Sequence, residues 1–551
     1  MGSKGFHPQR MTVGDAVQPA VSFPELPERY NASQLLDANL EAGRGGKVAI
    51  RWGDEEVTYG RLSQAVCGFG RGLLALGLRC EERILVALDD SPAFVVSFLG
   101  AIRIGAVPVP VNPLYRADDL AYFITNSGAR AAVGGFEALD ETRAALREQA
   151  ERVTLLTVGG AAPDTVDFDQ LVAAHAGELD PASTHKNDPA FWLHSSGSTG
   201  RPKPVVHLQR AMLYTAWAGA ANVLAMTEND VTYSTSKMCH AYGLGNSLTF
   251  PFWAGASTVL GSGRPTPAAV LATIARCRPS IFFSVPTFYK AILDWPESAT
   301  RDLSSIRVCF SAAEPLPAPL WHRWKDVFGL TILDGVGSTE TLHEYCANTM
   351  TQLRPGSNGR PVPGYELLLL DDAGQPVPRG EVGNLYVKGG SMFAYYWRQP
   401  EKTRQSLMGE WFHTGDRYRV DAEGFYWFQG RSDDMIKVGG SWVSPVDVER
   451  ILLEHPAVLE AAVIGTEVDG LTKVAAFVRA SGNPRPDTEL THELRRWCTD
   501  RFNHYQYTHL IDYPHLIVFV EELPKTLTGK VDRPKLRAAA SGNTPTPSPP
   551  S

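Results

Sequence analysis

Between Ser195 and Lys203 the chain reads Ser195-Ser196-Gly197-Ser198-Thr199-Gly200-Arg201-Pro202-Lys203, which sets hydroxyls, flexible backbone and a cation within one turn's length. Gly197 and Gly200 permit positive φ and let backbone N–H groups crowd around an anion. Ser195, Ser196, Ser198 and Thr199 can each donate to a phosphate oxygen, and Lys203 adds charge. A Ser/Gly-rich linker has a similar composition, but linkers are rarely bracketed as this run is. Ala190-Phe191-Trp192-Leu193-His194 is apolar enough for a buried strand, and Val205-Val206-His207 resumes an extended pattern. The loop is expected to hang between rigid elements and to hold nucleotide phosphates. It is not a G-x-x-x-x-G-K-[ST] P-loop, because Gly200 is followed by Arg201-Pro202-Lys203. Thr528-Gly529-Lys530 is not one either, with Pro524 and Val531 where the first Gly and the hydroxyl belong.

Other residues carry chemistry only in context. Glu340 ends Gly337-Ser338-Thr339-Glu340, a short polar loop that could project a hard oxygen ligand for a divalent cation, although one acid among 60 is ordinarily a solvated surface charge. Lys530 alone reads as a flexible surface lysine, and His240 and His343 as core histidines. Cys239 has no assigned base and reads as a small buried hydrophobe.

The elements that must position these residues follow βαβ grammar in the first half. A strand Arg83-Ile84-Leu85-Val86-Ala87-Leu88, a helix over about Pro92–Ile104 and Val107-Pro108-Val109-Pro110-Val111 succeed one another. Asp90-Ser91-Pro92 supplies an N-cap and an early proline. The same rhythm over Arg278–Lys290 and Ser305–Phe328 predicts a large α/β body with parallel sheets. From about Gly356 to Gly430, short strands such as Gly383–Lys388 predict a β-rich subdomain. After Gly430-Arg431-Ser432-Asp433-Asp434 the pattern restarts as a small α+β unit. It has a first strand, a helix (about Pro445–Leu453), strands Val458–Ile464 and Val474–Val478, a helix Thr488–Phe502 and a strand Leu516–Val520. The expected division is 1–432, a mobile 433–540, and a disordered Ser/Thr/Pro/Asn/Gly tail over 541–551.

Composition bounds the function. A chain of 551 residues implies about three or four units at roughly 100–200 residues each. With 44% hydrophobic and 20% charged residues a sizeable core is expected. A net charge of −8 with interspersed signs offers no basic face for nucleic acid or anionic lipid. Seven scattered cysteines without CxxC spacing indicate neither a disulfide framework nor a zinc site, which fits a reducing compartment. No stretch approaches the ~20 apolar residues of a membrane helix, no signal-length apolar run follows Lys4, His7 and Arg10, and Phe6 stands where myristoylation at Gly2 needs Ser or Thr. A cytoplasmic location is expected.

Further blocks follow the loop in order: His240-Ala241-Tyr242-Gly243-Leu244-Gly245, Ser311-Ala312-Ala313-Glu314, Asp334-Gly335-Val336-Gly337-Ser338-Thr339-Glu340, His413-Thr414-Gly415-Asp416, Gly430-Arg431-Ser432-Asp433-Asp434 and Pro524-Lys525-Thr526-Leu527-Thr528-Gly529-Lys530. Together they resemble the signature of the acyl-adenylate-forming superfamily, which includes acyl- and aryl-CoA ligases, luciferases and peptide-synthetase adenylation domains. Asn246 after the first of these blocks, Arg360-Pro361-Val362-Pro363-Gly364-Tyr365-Glu366 and Ser444-Pro445-Val446-Asp447-Val448-Glu449 look most like benzoate-CoA or aminobenzoate (anthranilate)-CoA ligases.

The resemblance implies that a carboxylate attacks the α-phosphate of ATP, giving an acyl-AMP and pyrophosphate, and that the thiol of coenzyme A then displaces AMP. It assigns the β and γ phosphates to Ser195, Ser196, Gly197, Ser198, Thr199, Gly200 and Lys203, and Mg²⁺ to Glu340. Lys530 is implied to enter between carboxylate and α-phosphate, where a compact ammonium can contact both. Asp416, assisted by Arg431, is implied on the ribose hydroxyls, with Ala313, Glu314, Asp334 and Thr339 as the other nucleotide contacts. Relatives commonly carry Gly where this chain has Ala313. The acid pocket is implied to comprise His240, Ala241, Tyr242, Gly335, Val336, Gly337 and His343, the small residues leaving room for a flat ring. Thr341 and His343 are candidates to hydrogen-bond a ring substituent. Amino-acid-activating relatives place an Asp in the block matched by His240-Ala241-Tyr242-Gly243; none stands here, which favours benzoate or an aminobenzoate.

For thioester formation the resemblance implies a hinge at Asp433 and a CoA tunnel bordered by Gly439, Gly440 and Trp442, although Gly-Gly is also a common turn. The Tyr505–Tyr513 segment looks longer than in benzoate ligases. Small-molecule partners are expected, with neither nucleic acid nor membrane. The rival readings are a stand-alone adenylation enzyme loading a carrier protein and a non-catalytic acyl-adenylate-binding protein.

Overall fold

Along the strand Arg83–Ala87 alternate side chains enter two different cores: Ile84 and Val86 pack with Phe94, Phe98 and Phe191, while Leu85 and Ala87 pack with Phe123 and Trp192. That period of two is what a parallel sheet covered on both faces demands. Ala131–Gly135 and Thr154–Val158 repeat it, with Val133 and Leu156 in the first core and Ala132 and Leu155 in the second. The computed structural model describes residues 22–146, 152–195, 202–432, 434, 436–438, 441–468, 471–481, 488–502, 514–525 and 531–540.

The chain divides into two compact units, 1–367 with 387–412 and 368–386 with 413–551. In the first, the five-stranded parallel sheet has the order Val107–Pro110, Arg83–Ala87, Ala131–Gly135, Thr154–Val158, Val166–Asp167. A nine-stranded sheet runs from Arg360–Pro361 through Glu344–Ala347, Ile332–Gly337, Val308–Ser311, Ile281–Ser284, Val231–Ser234, Ser257–Leu260 and Val48–Trp52 to Glu55–Thr58. Its strands are parallel from Ile332–Gly337 to Val48–Trp52 and antiparallel at both margins.

The helix expected after Arg83–Ala87 forms over Pro92–Arg103, with Ser91 Oγ accepting the Phe94 N–H at 3.2 Å and Pro92 in the first turn. It stops one residue short of the expected end because Ile104 leads into Gly105 at φ 76°, a left-handed stop that only glycine adopts without cost. Two π-helical segments, Ala216–Ala221 and Gly245–Thr249, had no sequence signal. The second directly follows the short helix Ala241–Leu244.

In the second unit Val458–Val468 and Leu471–Ala480 form an antiparallel ladder, and Leu516–Phe519 joins in parallel. The first two strands outrun the expected Val458–Ile464 and Val474–Val478. Apolar alternation ends at those limits, but backbone pairing continues through polar positions such as Thr466 and Lys473. Helices Pro445–Leu453 and Thr488–Phe502 cover one face, burying Val448, Ile451, Leu452, Leu490, Leu494 and Cys498 against Val463, Val474 and Val478. No described helix is long and apolar enough to cross a membrane.

Candidate active site

The phosphate-loop motif is framed by an antiparallel pair, Pro189–Ser195 and Lys203–Leu208, in which Ser195 stands opposite Lys203. Ser196, Gly197, Ser198, Thr199 and Gly200 lie outside the described residues. Both ends of the loop point to one carboxylate. Glu340 Oε1 accepts from Ser195 Oγ at 3.1 Å and from Tyr396 Oη at 2.8 Å, and Lys203 Nζ lies 3.7 Å away. The lysine also stands 4.7 Å over the Tyr396 ring. Tyr396 reaches this point because Tyr395–Tyr396 pairs with Val206 and Val205 on the outer side of the Lys203–Leu208 strand. The Glu340 side chain is only 8% exposed, so its charge is compensated in place by two hydroxyl donors and a cation.

Local backbone presents that carboxylate. Ile332–Gly337 ends in Ser338, whose Oγ accepts the Thr341 N–H to cap a short 3-10 turn over Thr339–Thr341. Among the described residues no group of three or more His, Cys, Asp or Glu gathers for a metal. A single buried carboxylate nevertheless fits Mg²⁺, which is held by one or two carboxylates together with substrate phosphate oxygens.

At the nucleotide positions, Ser311 ends its strand beside Asp334, at the carboxyl edge of parallel strands where α/β folds bind ligands. Ala313 turns the chain there with φ 71°, in the left-handed region that Gly adopts more readily than Ala. Glu314 Oε2 accepts the Thr287 N–H at 3.3 Å. Asp334 is buried and accepts from Asn358 Nδ2 at 2.8 Å, and burial pushes its carboxyl well above the usual range.

The residues expected to line an acid pocket are brought together, but not as open space. A Cβ at Gly335 would stand 2.8 Å from Phe310 Cζ, and one at Gly337 would stand 2.5 Å from the His343 carbonyl oxygen. The room expected at these glycines is therefore filled by the unit's own ring and backbone, because the antiparallel Glu344–Ala347 strand closes in there. Ala241 is buried, Val336 is half-buried opposite Cys346, and His240 is exposed at the start of Ala241–Leu244. Tyr242 Oη lies 3.0 Å from the Phe310 carbonyl and 3.2 Å from that of Ser284. Thr341 does not reach outward as expected: its hydroxyl donates to the His343 carbonyl at 2.8 Å. His343 is buried with ring contacts to Phe250 and Tyr242, and burial drags its imidazole down to about 3. Cys239 is buried, which pushes its thiol up and leaves it inert packing.

In the second unit Asp416 and Arg431 are register partners of one hairpin, with Arg431 Nη1 donating to Asp416 Oδ1 at 2.9 Å. Asp433, Gly439, Gly440, Lys530, the Tyr505–Tyr513 segment and the tail over 541–551 lie outside the described residues. Their frames are described in two cases. Val438 pairs with Ser441 on either side of the glycine pair, Trp442 pairs with Lys437, and Lys525 bridges Val531 around the segment holding Lys530.

Sequence reasoning missed Tyr396, Asn246 as a buried partner of His343, and Glu344. Tyr396 and Glu340 are 56 residues apart and Asn246 and His343 97, beyond any local pattern, while Glu344 adjoins His343 in sequence but nothing in the pattern shows that its side chain turns inward.

Comparison with known proteins agrees with this arrangement. The profile described as AMP-binding enzyme matches residues 37–397, and that of the AMP-binding enzyme C-terminal domain matches 447–530. A benzoate–CoA ligase of Thauera aromatica is 42% identical over 94% of this chain and 97% of its own length. The crystal structure of the anthranilate CoA ligase AuaEII in complex with anthranoyl-AMP superposes with a TM-score of 0.88 at 39% identity, covering 94% of this chain and 99% of that one. A benzoate CoA ligase from Burkholderia xenovorans LB400 gives 0.84 at 41% identity, over 92% and 100%. With both profiles matched on one polypeptide and relatives alike over nearly their whole length, this chain belongs to the AMP-binding enzymes.

Proposed function

We propose that the protein is an AMP-forming aryl-CoA ligase that joins a benzoate- or aminobenzoate-type acid to coenzyme A in the cytoplasm, where ATP and CoA are supplied. The observation that carries this reading is the convergence of Ser195, Lys203 and Tyr396 on the buried carboxylate of Glu340. A carboxylate resists nucleophilic attack and must first be activated. Bringing it to a polyphosphate sets anion against anion, so the barrier falls chiefly by preorganised charge.

The hydroxyls and backbone of Ser195–Gly200, with Lys203, hold the departing phosphates. Mg²⁺, when bound, neutralises phosphate charge, and Glu340 would hold it. Asp416 accepts the ribose hydroxyls while Arg431 fixes its orientation. Ala313, Glu314, Asp334 and Thr339 complete the nucleotide contacts. Lys530 stands between the acid carboxylate and the α-phosphate during adenylation. The unit over 433–540 then turns about Asp433 and brings Gly439, Gly440 and Trp442 to the pantetheine path, where the thiol attacks the acyl carbon and AMP leaves.

The test supplies ATP, Mg²⁺, CoA and each of benzoate, the hydroxybenzoates and the aminobenzoates, and follows pyrophosphate, AMP and thioester. All three products are expected in equal amounts with at least one aromatic acid. Acyl-AMP without thioester would move the assignment to a carrier-protein-loading enzyme. In the same assay Lys530→Ala is expected to slow adenylation by about 10²–10³, as for loss of one charge-stabilising group, while sparing thioester formation from supplied aryl-AMP. Equal loss of both halves would refute that role.

A further inference from the structure

The acid end contains a buried group that the proposed reaction leaves unused. Glu344 opens the strand Glu344–Ala347, its side chain is 4% exposed, and its Oε1 has no hydrogen-bond partner among the described residues. Its other oxygen, Oε2, lies against His343 Nδ1. His343 Nε2 faces the carbonyl oxygens of Tyr242 at 3.3 Å and of the Asn246 side chain at 3.2 Å, so hydrogen-bond logic puts the ring proton there and leaves Nδ1 an acceptor. Two acceptors in contact must share a proton. On whichever of the two atoms it sits, Oε1 is left as the acceptor still to be satisfied.

Its surroundings locate it. Glu344 is the register partner of Gly337, and a Cβ at Gly335 would meet Glu344 Cγ at 3.1 Å. The His343 ring it touches lies 5.6 Å from the Tyr242 ring. Three residues assigned to the acid pocket, Gly335, Gly337 and His343, therefore adjoin Glu344, and the His343 ring neighbours a fourth, Tyr242. A buried acceptor without a donor is costly and calls for one from the ligand.

We infer that Glu344 reads the ring substituent of the aromatic acid, its Oε1 accepting a hydrogen bond from an amino or hydroxyl group on the ring, so that donor-bearing benzoates are preferred to benzoate. This rests on the aryl-CoA ligase reading. A site built to bond a substrate N–H or O–H discriminates strongly against an analogue lacking it, because the protein group is then left buried and unpaired. A purely apolar pocket would separate the same acids weakly.

The experiment measures kcat/KM for benzoate and for its three monoamino and three monohydroxy isomers in the wild type, Glu344→Gln and Glu344→Leu, together with KM for ATP. The wild type should favour at least one donor-bearing isomer over benzoate by about a hundredfold or more. Glu344→Leu should erase that ratio, lowering the favoured acid and sparing benzoate, with KM for ATP unmoved. Glu344→Gln keeps an acceptor oxygen and should retain part of the preference. Comparing the amino and hydroxyl series identifies the donor. A wild type that uses benzoate as well as every isomer overturns the inference, whether or not the variants fold, and so does a Leu variant that lowers all acids by one factor. If no aromatic acid is turned over, the ligase reading itself fails; if they are turned over without donor preference, only this inference does.

Discussion

The proposed phosphate end and acid end of the larger unit are built in opposite ways. At the phosphate end, Ser195, Lys203 and Tyr396 meet a single oxygen of Glu340 from adjacent strands of one small antiparallel sheet and the turn beside it. At the acid end, Tyr242, Asn246, His343 and Glu344 are tied to one another and to Phe310 and Ser284, segments far apart in the chain, and the space beside the glycines is taken by protein. In the proposed reaction the first arrangement gathers charged and polar groups for a polyanion common to every acid substrate. The second shapes a surface, and there a single polar atom decides which ring fits.

The sharpest way to break this contrast is Glu340→Gln, which keeps the shape and removes the charge. Adenylation should fall by about 10²–10³, or ~3–4 kcal/mol of transition-state stabilisation, while the ranking of acids stays as in the wild type. A changed ranking in steady-state kinetics would show that the two ends are not separate.

Acid sensitivity offers a second test, through a buried histidine taken from each end. Burial lowers both His207, within the Lys203–Leu208 strand, and His343 to about 3, against an ordinary 6.5. A folded-state value below the unfolded one means that the unfolded chain takes up protons first, so stability is present above about 6.5 and is lost as pH falls toward 3. Each histidine contributes a loss of about 1.4 kcal/mol per pH unit in that window. Buried Asp90 and Asp334, both raised, act with the opposite sign, so the test is the difference between proteins: in urea unfolding at pH 7.5 and pH 5.5, His207→Asn should lose less stability on acidification than the wild type, by up to about one proton. A slope that His207→Asn left unchanged would contradict neutral burial of His207.

The smallest effect is expected at Ala313, whose φ of 71° costs folding energy that Gly would not incur. Left-handed backbone costs roughly 1–2 kcal/mol and the extra freedom of unfolded Gly offsets roughly 0.5–1, so Ala313→Gly should stabilise by about 0–1.5 kcal/mol. Thermal unfolding would read this directly. A net destabilisation would mean that the methyl packs, and would sharpen the nucleotide end instead.

Particular residues show what could be read in advance. The Ser91 cap, the helix Thr488–Phe502 and the strands flanking Ser195–Lys203 follow from neighbours within a few positions, because caps, helix period and apolar runs are local interactions. The π-helical turn at Gly245–Thr249 and the long ladder ending at Val468 and Leu471 carry no such signature, since packing and backbone pairing impose them.

The amino-acid order alone therefore determined the α/β grammar, the spacing of the phosphate loop and the residue types offered to a carboxylic acid and a nucleotide. Only the folded chain decided that Tyr396 would share an oxygen with Ser195, that Thr341 would turn inward, and that Glu344 would face the glycines of the neighbouring strand. The reason is physical: a motif is specified by covalent neighbours, whereas a partner for a buried polar atom is chosen by whichever distant segment the core brings within hydrogen-bonding reach.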